Sequence, residues 1–112
     1  MRFAIVGSRD IEINNIDKYL FNCEEIITGG AKGVDACAAA YARENAIKLI
    51  EILPQYKRYG RAAPIIRNQQ IVDSCDCVLV FWNGKSKGTL SVIKYAEKTK
   101  KTCKLVFGFK RE

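Results

Sequence analysis

Three short stretches of this chain combine glycine, small hydroxyl residues and charge in patterns that suit an anionic ligand. The first is IITGGAKGVD, Ile26 to Asp35, followed by the helix-forming run ACAAAYARENA. The order is strand, glycine turn, helix start. It puts unpaired N–H groups and the positive end of a helix dipole at the turn, where a phosphate or carboxylate is stabilised. Gly29, Gly30 and Gly33, with Ala31 between them, let the backbone turn and let a ligand come close. Asp35 falls in the first helical turn, where a carboxylate complements the dipole unaided. It is equally placed to accept bonds from the loop N–H groups or from a ligand hydroxyl. The second stretch is Gly7-Ser8-Arg9-Asp10, after the apolar run FAIV. Gly7 and Ser8 could touch phosphate or ribose, and Arg9 could add a charge-assisted hydrogen bond unless it simply pairs with Asp10 on the surface. The third is the loop containing Gly84, Lys85, Ser86, Gly88 and Thr89, which opens a basic helix. Its Gly-Lys-Ser is not a P-loop, because that motif needs a glycine where Leu79 stands. Thr89 could serve simply as a helix N-cap.

Two further residues belong with these loops. In the segment PIIRNQQIV the helical turn of 100° per residue puts Asn68 inside an apolar arc with Ile65, Ile71 and Val72. A polar residue there must find partners, either bracing a neighbouring loop or touching a ligand. Arg67 projects beside it and could reach a phosphate. The chain has no histidine, so any acid–base chemistry falls to a carboxylate, with Asp35 and Asp10 as candidates. The five cysteines, Cys23, Cys37, Cys75, Cys77 and Cys103, form no C-x-x-C pair. They read as reduced, mostly buried thiols, and no metal or cofactor is expected.

The elements that must hold these loops alternate along the chain. Strands are expected at Arg2 to Val6, Glu24 to Thr28, Ala46 to Leu53, Asp76 to Trp82 and Thr102 to Phe107. Helices are expected late within 11–22, over 34–45, from Pro64 to Asp73 and from Thr89 to Lys100, with a short basic tail closing the chain. Five strands and four helices in alternation predict an α/β fold: a three-layer, Rossmann-like open parallel sheet with right-handed crossovers and strand order 3-2-1-4-5. The three loops all follow strands, so they converge on the carboxyl edge of that sheet, where such folds bind ligands.

The 112 residues suit one domain, and 48% apolar with 28% charged residues suits a globular one. No apolar run approaches the roughly 20 residues of a membrane span, and the N-terminus resembles no signal peptide, so a cytoplasmic protein is expected. From Met1 to Gly84 there are ten Lys/Arg and ten Asp/Glu; from Lys85 onward there are nine and two. The whole net charge of +7 therefore sits in the last quarter. That asymmetry points to an anionic partner or to a solvated basic face.

In combination, GSRD, TGGAKGVD, YGRAAPIIRNQQIV and FWNGKSKGT resemble the small Rossmann-like proteins of the SMF/DprA–LOG (SLOG) superfamily, in particular its stand-alone YspA-like branch. The resemblance runs from Arg2 to Phe107. It implies a nucleotide or nucleotide-derived phosphate ligand, held by the glycine loops with Arg9, Arg67 and Lys85, and a homodimer. Two branches of the superfamily imply alternatives. DNA-processing protein A, which binds single-stranded DNA, has a motif like Gly30-Ala31-Lys32-Gly33-Val34-Asp35 and an arginine–asparagine pair like Arg67-Asn68. Single-stranded nucleic acid is thus a second candidate partner, with Tyr56, Tyr59 and Trp82 available to stack bases. LOG enzymes release the base from nucleoside monophosphates. Gly88-Thr89 matches their loop, but their following glutamate has no counterpart before Glu97.

Overall fold

The two strands with the most continuous apolar runs lie side by side at the centre of a parallel sheet. The computed structural model describes residues 1–107. Its strands are β1 (Arg2–Gly7), β2 (Glu25–Thr28), β3 (Lys48–Glu51), β4 (Cys77–Trp82) and β5 (Thr102–Phe107). The order is β3-β2-β1-β4-β5, and every pairing is parallel, as the alternation of elements predicts. Central β1 and β4 are buried on both faces, which is why they read as unbroken apolar runs. The edge strands carry exposed charge, Lys48 and Glu51 on β3 and Lys104 on β5. Charged edges discourage pairing with another sheet.

Successive strand residues feed opposite layers. Phe3, Ile5, Ile26, Leu79 and Phe81 face helix α1 (Val34–Glu44). Ala4, Val6, Ile27, Val78 and Val80 face helices α3 (Ala63–Asp73) and α4 (Lys87–Lys98). Between β3 and α3 the chain makes one turn of helix, α2 (Tyr56–Tyr59), and a 3₁₀ turn (Gly60–Ala62), a region expected to be plain loop.

The first crossover departs from expectation. It contains only a 3₁₀ turn at Ile16–Tyr19. Ile11 and Ile13 are both buried and stand two residues apart, the spacing of extended chain. Together with Ile16 they seal the core beside α1. Each buried isoleucine contributes about 1.5–3 kcal/mol, more than the helix that Asn14 and Asn15 would in any case weaken. The helix after β4 begins at Lys87 rather than Thr89: Ser86 is the N-cap, its hydroxyl accepting the Thr89 N–H at 3.2 Å. The basic tail lies outside the described residues.

Candidate functional site

Five polar residues are buried among the described residues: Ser8, Thr28, Asp35, Asn68 and Thr89. All five lie at the carboxyl edge of the sheet, where a cleft of about 170 Å³ opens over the tips of β1 and β2 and between α3 and α4. This is the switch point, since β1 leads to β2 on one side and pairs with β4 on the other.

The three glycine loops each contribute to the cleft. From the first come Gly7 and Arg9, and from the second Gly29, Ala31 and Asp35. α3 supplies Arg67 and Asn68, and the third loop supplies Ser86, Gly88 and Thr89. Ser8, Asp10, Gly30, Gly33, Gly84 and Lys85 do not line it. Ser8 lies beneath instead: its hydroxyl accepts the Asn83 N–H at 3.1 Å, and its carbonyl accepts the N–H groups of Ile11 and Val34. Asp10 is exposed and accepts from the Asn83 amide at 3.0 Å. Gly33 has φ +73, and a Cβ there would strike the carbonyls of Ser8 and Arg9. Only glycine lets the first two loops pack this closely.

The second loop spends its N–H groups on its own chain. Asp35 Oδ2 accepts from Gly29 N at 2.9 Å and Ala31 N at 3.4 Å, while Gly30 N donates to the Thr28 hydroxyl. Arg67 takes the other side of the same residue, donating from Nη1 to the Gly29 carbonyl at 2.7 Å and to the Ile52 carbonyl at 3.4 Å. Its Nε donates to Asn68 Oδ1 at 3.0 Å, and Asn68 Nδ2 donates to the Gly88 carbonyl at 3.4 Å. Asn68 is therefore a brace, joining Arg67 on one wall to the start of α4 on the other. Gly29 is the residue that admits this grip, since a Cβ would stand 2.7 Å from Arg67 Nη1.

Some donors and acceptors remain unspent. The bonds that Arg67 makes leave Nη2 without a hydrogen-bond partner among the described residues. Thr89 is 6% exposed, and its hydroxyl, at the cleft wall, makes no hydrogen bond among the described residues. In the third loop, Asn83 Oδ1 accepts from Lys85 N and Ser86 N. That leaves the Lys87 and Gly88 N–H groups at the start of α4. A Cβ on Gly88 would meet nothing within 4 Å, so this helix start is open to the cleft.

No family model, no curated protein and no solved structure matches the chain.

The electrostatics follow from burial. Loss of water pushes the Asp35 carboxyl above the ordinary aspartate range, against the lowering influence of the Ala31 and Gly29 N–H groups and the Arg67 charge. Burial likewise lowers Arg67 from its ordinary value, opposed by Asp35 and Tyr56 and reinforced by Arg9. The guanidinium nevertheless stays charged at working pH. The described lysines of the last quarter do not line the cleft. Lys87 and Lys98 mark the two ends of the 12-residue α4, about 18 Å long, and Lys101 donates to the Cys75 carbonyl. No described helix is long and apolar enough to cross a membrane.

Sequence reasoning passed over the apolar floor of the cleft, Val6, Pro64, Ile71 and Val92. Nothing in their spacing separates them from the rest of the core. It also passed over Asn83, for which the Asn-Gly pair was a usable signal of a side-chain-braced turn.

Proposed function

We propose that this cleft binds a nucleotide or a nucleotide-derived phosphate ligand. One observation carries the reading. Two groups with unspent hydrogen-bonding capacity among the described residues, the Thr89 hydroxyl and Arg67 Nη2, belong to the same cleft as the open first turn of α4. A phosphate at that turn gains the Gly88 N–H, the helix dipole and the Arg67 charge. Arg9, exposed on the rim, adds a second cation. Asp35 lies across the cleft from α4, and its Oδ1 takes neither of the loop bonds made at Oδ2. An ionised carboxylate accepts hydrogen bonds and donates none, so this end suits ligand hydroxyls rather than phosphate. The motif resemblance to the SLOG superfamily points the same way.

Thermal melts with a panel of nucleotides and sugar phosphates test the proposal. A ligand at about 100 times its Kd should stabilise the fold by about 2.7 kcal/mol. Thr89→Val, which removes only the hydroxyl, should reduce that gain. Failure of every ligand to stabilise, or a gain that Thr89→Val and Arg67→Met leave intact, overturns the reading.

One observation also favours an enzymatic version. Asp35 is a buried carboxyl whose proton affinity is raised, the property of a general acid in a chain without histidine. Release of free base from a nucleoside monophosphate, abolished in Asp35→Asn, would establish it. Binding without base release leaves the protein a binding module.

A further inference from the structure

The cleft holds about 170 Å³, below the roughly 300–1,000 Å³ of sites that bury a drug-sized ligand. A phosphate and a pentose fit such a space, and the planar base of a nucleotide does not fit beside them. Where the base goes follows from the walls. With phosphate at the first turn of α4, the opposite end of the cleft is Gly29, Ala31 and Asp35. Beyond that end runs the chain between β3 and α3.

Of the five large apolar residues exposed among the described residues, Leu53 and Tyr56, 59% and 60% exposed, lie on this segment and Ile65, 54% exposed, lies in the first turn of α3, while Phe21 and Leu105 lie elsewhere. Concentrated exposed apolar area of this kind marks a binding surface more often than scattered single residues do. The segment meets the cleft at its start: the Ile52 carbonyl accepts from the cleft residue Arg67, Nη1 at 3.4 Å, and a Cβ on Gly30, between the cleft residues Gly29 and Ala31, would stand 2.5 Å from Leu53 Cδ2. Tyr56 opens the helical turn that follows, and its charge acts on Arg67. Positions 52 to 72 contain no Asp or Glu but include Lys57, Arg58, Arg61 and Arg67. Glu51, at the end of β3, stands on the Leu53 side, its Oε2 4.0 Å from a Cβ placed on Gly30, and the segment's cations outnumber it along the rim. Arg58 already covers the Tyr59 ring, 5.3 Å from its centroid, whereas the Tyr56 ring has no such partner among the described residues.

We infer that the segment between β3 and α3 is a stacking shelf for the planar base of the ligand, with Tyr56 as its aromatic face and Leu53 beside it. The inference rests on the nucleotide reading of the cleft and goes further by saying which part of the ligand stays outside and what holds it. Aromatic stacking of a base is worth about 1–3 kcal/mol, or about 5- to 150-fold in affinity.

Calorimetric titration with ribose 5-phosphate and with adenosine monophosphate separates the two claims. The base should tighten binding within that range. Tyr56→Ala should erase the gain while leaving ribose 5-phosphate affinity unchanged, and Tyr56→Phe should retain it. Equal affinities for the two probes, or equal weakening of both by Tyr56→Ala, would overturn the shelf while leaving the phosphate site standing. If neither probe binds, the cleft reading fails and the shelf with it. A shelf covered by a second copy of the chain would show in sedimentation as a dimer that Tyr56→Ala dissociates without changing the base's contribution, and that result also overturns the inference.

Discussion

Asp35 both braces a turn and carries a buried charge, and two substitutions separate these roles. In Asp35→Ala the Gly29 N–H, bonded at 2.9 Å in a buried setting, loses its acceptor. An unsatisfied buried donor costs about 1–3 kcal/mol. The 3.4 Å bond from Ala31 N is long and partly exposed, and adds about 0.5 kcal/mol at most. A loss of about 2–3 kcal/mol is expected, which for a domain of this size is a drop of roughly 8–12 °C in Tm. Asp35→Asn keeps an oxygen that accepts both bonds. It gives up attraction to Arg67 but sheds the cost of burying a charge, and burial is the dominant influence on this carboxyl. Its stability at neutral pH should stay within about 1 kcal/mol of the parent. The pH dependence has a definite sign. The folded carboxyl binds its proton more tightly than the unfolded one, whose ordinary value is 3.8. This group therefore favours the fold most below 3.8, and its contribution declines as pH rises to the folded value and is constant above it. The Asn variant lacks that decline, so its stability relative to the parent should rise between about pH 4 and neutrality. Urea denaturation followed by circular dichroism at both pH values reads all three quantities. If Asn is as damaging as Ala at neutral pH, the charge rather than the brace holds the turn and the reasoning fails.

The glycines of the cleft should divide into two classes in thermal melts. Gly29→Ala would place a Cβ 2.7 Å from Arg67 Nη1 and 2.9 Å from Asp35 Oδ2, costing about 1–3 kcal/mol. Gly88→Ala meets nothing and should gain up to about 0.5–1 kcal/mol of helix propensity while weakening phosphate binding; equal effects at the two positions would contradict the described packing. Ser86→Ala should cost about 0.5–2 kcal/mol through loss of the α4 cap, and an unchanged Tm would show that Ser86 does not carry it. Burial pushes the Cys75 thiol up to about 11, so peptide-mapped alkylation of the folded protein in mildly alkaline buffer should label it after Cys37 and Cys77. Early labelling of Cys75 would show that its pocket opens.

The order of the sheet was readable from the chain because it rests on local signals and simple connectivity. FAIV and CVLVFW are continuous apolar runs that only a doubly covered central strand tolerates, and alternating strands and helices with right-handed crossovers leave few other arrangements. The glycine loops were readable for the same reason, since a strand, a turn and a helix start follow one another along the sequence. The first crossover was misjudged because Ile13, Ile16, Leu20 and Phe21 stand near helical spacing, whereas the core beside α1 takes Ile11, Ile13 and Ile16 and leaves Phe21 exposed. The division of labour inside the cleft was legible only in three dimensions. The chain alone could not show that the TGGAKGVD loop spends its N–H groups on Asp35 and Thr28, or that Arg67 reaches back 38 residues to Gly29. Whether a donor bonds its own chain or faces a ligand turns on a few tenths of an ångström between segments far apart in sequence. Residue types fix which bonds are available; tertiary packing determines which are made and which remain open for a ligand.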